Sequence, residues 1–230
     1  MTGQDRGPDG LVAALVTDLV TGLRASGPDR GRLLLGIAGA PGAGKSTLAE
    51  QLVEGLTAEG VCAVLVPMDG FHLAQRELER LGRADRKGAP DTFDAGGFVA
   101  LLARLRDAAE VVYAPEFRRD LEEPVAGAVR VGPEVEVVVT EGNYLLLDDG
   151  PWAAVRGLLD QTWYLEVPDD LRRERLAARH ERYGRSPHDA REWTLGPDER
   201  NAVLVAASAS RADRTVRLTD GPRHPWHPGA

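Results

Sequence analysis

The sequence predicts an α/β fold: a mostly parallel sheet with helices on both faces and a helical lid. Three observations lead there. Short apolar runs alternate with segments of helical spacing, the order that builds parallel sheets covered on both sides. A glycine-rich loop of strict spacing joins one apolar run to the helix after it. Three chemically capable segments each follow directly from a strand. Their common place is the carboxyl edge of the sheet, where such folds bind ligands.

Taken in order, Leu11–Leu23 is apolar but interrupted by Asp18, and reads as an amphipathic helix packed on the sheet rather than a signal peptide. Arg32–Ala38 is a buried strand, and Ser46–Leu56 a helix whose Leu48, Leu52, Val53 and Leu56 share a face. Val61–Pro67 is a second strand, with Cys62 a core residue inside it, and Met68–His72 a loop. Gln75–Asp94 is polar and broken by Gly82, Gly88 and Pro90. Ala95–Ala109 is a helix with Asp94 as N-cap and Phe98, Leu101, Leu102 and Leu105 as its apolar face. Val111–Ala114 is a short strand ended by Pro115. Glu134–Thr140 and Gln161–Val167 are further strands, and Asp169–Tyr183 is an arginine-rich helix broken at Gly184–Pro187. Another helix follows that break, then a last one at Asn201–Ala209 and an edge strand at Thr215–Leu218. A single domain over about 10–220 is expected, with the lid near about 169–190. Residues 1–9 and 221–230, rich in Gly, Pro and polar groups, read as flexible tails.

The glycine-rich loop is Gly39-Ala40-Pro41-Gly42-Ala43-Gly44-Lys45-Ser46-Thr47, which fits G-x-x-x-x-G-K-[ST]. Between a strand and a helix, such a loop turns successive backbone N–H groups into one concavity, and the helix N-terminus adds partial positive charge. Lys45 can then reach the β- and γ-phosphates of a nucleotide, and the Ser46 hydroxyl can ligate Mg²⁺. Lys45 and Lys87 are the only lysines in the chain; every other strongly basic side chain is Arg. A compact ammonium is kept where it must meet phosphate.

Phosphoryl transfer also needs a metal-linked acid, a base and charge neutralisation. Glu141 follows the Val135–Val139 strand, in the position of such an acid; a turn-capping carboxylate is the alternative. Asp69, after the second strand, is the candidate general base, and a plain Asp-Gly turn the alternative. Arg172, Arg175 and Arg179 lie three and four apart on one helix side. They read as a lid closing on the transferring phosphate, or else as surface ion pairs with Glu174 and Glu181.

The net charge is −8, which argues against a nucleic-acid backbone or an anionic membrane as partner. Nothing approaches ~18 consecutive apolar residues. Cys62 stands alone, so no intramolecular disulfide forms, and a cytoplasmic setting is expected.

These motifs resemble the uridine kinase, phosphoribulokinase and bacterial pantothenate kinase family over about Leu33–Leu218. The resemblance rests on Gly39–Thr47, Met68–Phe71, Lys87–Asp94, Tyr113–Phe117, Glu141–Tyr144 and the arginine-rich helix. Arg179-His180 and Gly184–Pro187 are similar to a bacterial subgroup described as nucleoside/nucleotide kinase-like, or provisionally as fructose transport-system kinases. The resemblance implies a P-loop NTPase fold, ATP with Mg²⁺ as donor, and a small-molecule hydroxyl compound as acceptor: a sugar, sugar acid, pantothenate-like or nucleoside-like metabolite. Pantothenate kinase proper and a nucleotide-binding regulatory ATPase are the rival readings, and a homodimer is left open. Asp69, Lys45, Arg175 and Arg179 would be catalytic. Ser46 and Glu141 would hold the metal. His72, Lys87, Arg118, Arg119, Asn143 and Tyr144 would line the acceptor site. Gly88 stands where uridine kinases carry a ribose-holding Asp, which points to an acceptor that is anionic or rich in hydroxyls rather than a plain pyrimidine nucleoside.

Overall fold

A computed structural model describes residues 8–27, 31–106 and 109–218. The expected tail at 221–230 lies outside the described residues, as do residues 1–7 of the other; the first helix, α1, already begins at Pro8 and runs to Ala25.

The central sheet is parallel throughout. Its strands are β1 (Leu33–Gly39), β2 (Ala63–Leu65), β5 (Val137–Gly142), β6 (Gln161–Glu166) and β7 (Arg214–Arg217), in the order β2-β5-β1-β6-β7. Leu35 pairs with Val139 on one side and Gln161 on the other. The two central strands, β1 and β5, are almost wholly buried, which is why they read as apolar runs without alternation. Residue parity divides their side chains between two cores. Leu35, Ile37, Val137 and Val139 face α1 and α2 (Lys45–Ala58). Leu34, Ala38 and Val138 face α4 (Ala95–Arg106) and α8 (Glu199–Ala207). The fold is the P-loop α/β fold expected from the sequence. Among the described residues, no helix is long and apolar enough to cross a membrane.

Several local readings change. The polar stretch after β2 carries a 3-10 turn at Met68–Phe71, helix α3 (Gln75–Arg80) and two further 3-10 turns. Val112–Arg118 forms β3, which runs through Pro115 instead of ending there. The ladder shifts register between Ala114 and Glu116, so the missing N–H of proline falls at a bulge, where a strand tolerates it. Its antiparallel partner is β4 (Glu123–Val131). The sequence gives no sign of β4, because Pro124 and Gly127 weaken the strand pattern. Cys62 is exposed: it precedes the short edge strand β2, on whose outer side no strand pairs among the described residues.

The β3–β4 hairpin stands outside the main sheet and packs on the Met68–Phe71 turn. The approach is close. A Cβ on Gly70 would lie 2.3 Å from the carbonyl oxygen of Pro115. Short helix α5 (Val155–Leu158) leads into β6, and α6 (Asp169–Arg182) and α7 (Pro187–Trp193) follow it. Ser186 caps α7 by accepting from the Asp189 N–H. A π-helical turn at Thr194–Asp198, containing Pro197, joins α7 to α8.

Gly70→Ala is expected to destabilise the fold by about 1–3 kcal/mol, the usual range for overpacking, and to lower Tm by several degrees. A Tm within one degree of wild type would mean the hairpin does not rest on this turn.

Candidate active site

The loop after β1 turns through two left-handed glycines, Gly42 at φ 78° and Gly44 at φ 93°. Gly44 is the N-cap of α2 and has no side chain to satisfy the helix start, so the first-turn N–H groups remain available to an anion. The Ala43 N–H donates to the Ala40 carbonyl at 3.1 Å and closes the loop.

Lys45 is 8% exposed. Its ammonium donates to Asn143 Oδ1 at 2.7 Å and to the Ala40 carbonyl at 3.2 Å. Burial lowers its pKa, against the opposing charges of Glu141 and Asp69. The Ser46 hydroxyl donates to Glu141 Oε1 at 2.9 Å. Parity explains that contact. Glu141 lies on the same face of β5 as Val137 and Val139, the face covered by α2, at the end where α2 begins. Burial raises the Glu141 carboxyl, and the neighbouring Asp69 charge raises it further. A hydroxyl and a carboxylate side by side, both hard oxygen donors, with a second carboxylate near, suit Mg²⁺.

Asp69 sits in the 3-10 turn after β2. Burial pushes its carboxyl up, but His72, Arg119, Lys45 and Arg179 together outweigh burial and hold it below the usual range. Arg119, at the hairpin tip, donates to Asp69 Oδ2 at 3.4 Å. His72 Nε2 lies 3.9 Å from Asp69 Oδ1. The His72 ring stacks on Phe93 at 3.9 Å between centroids and tilts against Phe117 at 4.9 Å. Burial drops its pKa to about 4. Lys87 reaches the same hairpin: its ammonium donates to the Glu122 carbonyl at 2.8 Å and lies over the Phe117 ring.

The arginines of α6 separate into two groups. Arg175 donates to the Ala43 carbonyl at 3.4 Å. Arg179 is near Asp69 and Arg119; burial and the Arg119 charge lower its pKa. Arg172 and Arg173 point instead to Glu199 on α8, at 2.7 and 2.6 Å. The helix rests directly on the loop, since a Cβ on Gly42 would meet the Arg172 carbonyl at 2.5 Å. His180, next to Arg179, pairs with Asp198 of the π-helical turn at 2.7 Å.

Three residues expected to line an acceptor site are engaged by other partners. Tyr144 is fully buried against Phe93 and Trp152, and its hydroxyl donates to the Gly88 carbonyl. It braces the Lys87–Asp94 segment from beneath. Arg118 alternates to the far side of β3 from Phe117 and pairs with Asp120 at 2.7 Å. Asn143 serves Lys45 rather than open space. Glu199 and Asp198 carry no sequence signal beyond their place at a helix start, because their partners lie on another helix.

The sequence profile of the Phosphoribulokinase / Uridine kinase family matches residues 34–189. A Schizosaccharomyces pombe protein provisionally named uridine kinase C227.14 is 36% identical over 156 residues, 65% of this chain and 66% of its own length. The uncharacterised YggC of Escherichia coli is 30% identical over 210 residues, 90% of this chain and 86% of its own. A crystal structure from Silicibacter sp. TM1040, provisionally described as a fructose transport system kinase, superposes with a TM-score of 0.81 at 41% identity. That alignment covers 89% of this chain and 98% of the other.

The α6–α8 clamp has a pH signature. Hydrogen bonds from Arg173, opposed by burial and joined by Arg172, hold the Glu199 carboxyl at about 2 against an ordinary 4.5. Its folded pKa lies below its unfolded one, so the stabilisation is complete above the unfolded value and is lost as pH falls toward the folded one. Glu199→Gln should therefore unfold more easily than wild type at neutral pH. The two Tm curves should converge between about pH 4.5 and 2; curves that stay parallel through that window would remove Glu199 from the clamp.

Proposed function

The chain belongs to the phosphoribulokinase / uridine kinase family, and from that premise we propose that it transfers the γ-phosphoryl group of ATP to a hydroxyl of a small metabolite, with Asp69 as general base. The observation that carries this reading is the meeting of Lys45, Glu141 and Asp69 at the carboxyl edge of the sheet, with the two carboxyls driven in opposite directions. Such a divided pair marks two different jobs. A base must be ionised before it can take a proton, and Asp69 is held ionised. Glu141 carries buried charge that a bound cation would relieve.

Lys45 and the free N–H groups at the start of α2 would hold the β- and γ-phosphates. Ser46 and Glu141 would hold Mg²⁺, directly or through water, and the bound ion neutralises charge on the phosphate oxygens. Asp69 accepts the proton of the acceptor hydroxyl as that oxygen attacks. Arg175, beside the loop, and Arg179, beside Asp69, stabilise negative charge during transfer. The acceptor carries several hydroxyls or a negative charge and is not a plain pyrimidine nucleoside. Gly88 offers no carboxylate to a ribose, while Lys87 and Arg119 flank the approach to Asp69.

The direct test is ADP release from ATP with Mg²⁺ in the presence of D-ribose, D-fructose, D-gluconate, pantothenate or uridine. Stimulation by a sugar, sugar acid or pantothenate above that by uridine is expected. Turnover indifferent to every acceptor and raised only by a protein partner would make the chain a regulatory ATPase.

Asp69→Asn should keep ATP binding and lower kcat by ~10²–10⁴-fold. A loss below about threefold, with chemistry rate-limiting, would end the general-base role. Arg175→Ala and Arg179→Ala should each lower kcat by ~10²-fold and weaken ATP binding less. Unchanged kcat in both variants would return these side chains to structural work.

A further inference from the structure

The two arginines of α6 that face the site are held differently. Arg175 donates to the Ala43 carbonyl. Arg179 has no such anchor: among the described residues, no side chain or carbonyl accepts a hydrogen bond from its guanidinium. Its place is set by the helix that carries it and by the charges around it.

One turn of chain grips that helix twice. Glu199 accepts from Arg172 and Arg173 at 2.7 and 2.6 Å. Asp198, the residue before it, lies 2.7 Å through Oδ2 from Nε2 of His180. A carboxylate only accepts, so Nε2 carries the proton. Arg175 and Arg179 both lie between the two grips, and Arg179 is next to His180. Asp198 is itself firmly placed. It is buried and closes the π-helical turn Thr194–Asp198, a distortion that often marks a functional site. Three residues on, Asn201 Nδ2 donates to the Gly88 carbonyl at 3.3 Å and ties the start of α8 to the Lys87–Asp94 segment.

The surrounding charges make the role of Asp198 specific. Burial and the Arg119 charge act against the charged form of Arg179. Asp198 and Asp69 act for it, and Asp198 more strongly than Asp69. Without the Asp198 charge, the carboxylate left to Arg179 is Asp69. An arginine paired there would occupy the lone pairs that must take the acceptor proton. We propose that Asp198 is a positioning residue for phosphoryl transfer: through His180 and by its own charge it holds Arg179 at the site and off Asp69. The proposal rests on the kinase reading of Asp69 and Arg179.

Nucleotide binding tests it without an acceptor. Titration calorimetry would compare AMP-PNP with Mg²⁺, a ground-state mimic, against ADP with Mg²⁺ and aluminium fluoride, which imitates the phosphoryl group in flight. Arg179→Ala should weaken the fluoride complex by ~10²-fold. Asp198→Asn keeps the size of the side chain and an acceptor for His180 but removes the charge. It should weaken the fluoride complex by roughly 10-fold and leave AMP-PNP affinity within about twofold. In the Arg179→Ala background D198N should add no further loss, since its effect runs through Arg179. His180→Ala should act as D198N does and serves if D198N does not fold. A fluoride complex as tight as wild type in both D198N and H180A overturns the proposal. An equal loss for AMP-PNP, or an equal loss with and without Arg179, marks a residue that only supports the fold and also overturns it, with the kinase reading left standing. Arg179→Ala that binds the fluoride complex like wild type removes Arg179 from the kinase reading, and the proposal with it.

Discussion

An ammonium only 8% exposed must find its counter-charges where it stands, and Lys45 does so at the mouth of the sheet. Asn143 and the Ala40 carbonyl take its hydrogen bonds, and Glu141 and Asp69 supply the negative charge. The partners come from three strand ends, Ala40 after β1, Asp69 after β2, and Glu141 with Asn143 at the end of β5, so the charge balance holds only when β1, β2 and β5 sit in their native order. The order β2-β5-β1 brings the residues after those strands side by side. Phosphate chemistry and sheet topology are in this sense one constraint.

Around that centre the backbone comes unusually close to itself. Gly42 lets α6 rest on the phosphate loop, and Gly70 lets the hairpin rest on the Asp69 turn; in both cases the opposing atom is a carbonyl oxygen, which cannot move aside as a side chain would. The arginines of α6 and the hairpin tip with Arg119 are therefore carried by elements already pressed against the site. Arg172 and Arg173 pair with Glu199, and His180 shares a hydrogen bond with Asp198, which holds the helix and leaves Arg175 and Arg179 turned inward. The lid reading thus divides along the helix: one part clamps it to α8, the other faces the loop and Asp69.

The structure also redistributes the expected acceptor residues. Asn143 and Tyr144, adjacent in sequence, do different work: one holds Lys45, the other braces Gly88 from the core. Arg118 and Arg119 part in the same way, one toward Asp120 and one toward Asp69. In extended or turning backbone, neighbours point apart, and adjacency in a motif says little about shared contact.

By itself the sequence determined the parallel α/β fold, because buried central strands and amphipathic helices leave different periodicities that survive without tertiary context. It also determined the phosphate loop, whose glycines are required by backbone geometry local to nine residues, and the strand-end positions of Asp69 and Glu141. It missed β4 and the continuation of β3 through Pro115, since a hairpin outside the main sheet is half exposed and lacks a buried stripe. It misjudged Cys62, because burial on an edge strand depends on what lies beyond the edge. Only the tertiary structure decided which arginines clamp and which face the site, and that Tyr144 is a brace. Those outcomes depend on side-chain direction and on partners tens of residues away, and no local pattern records either.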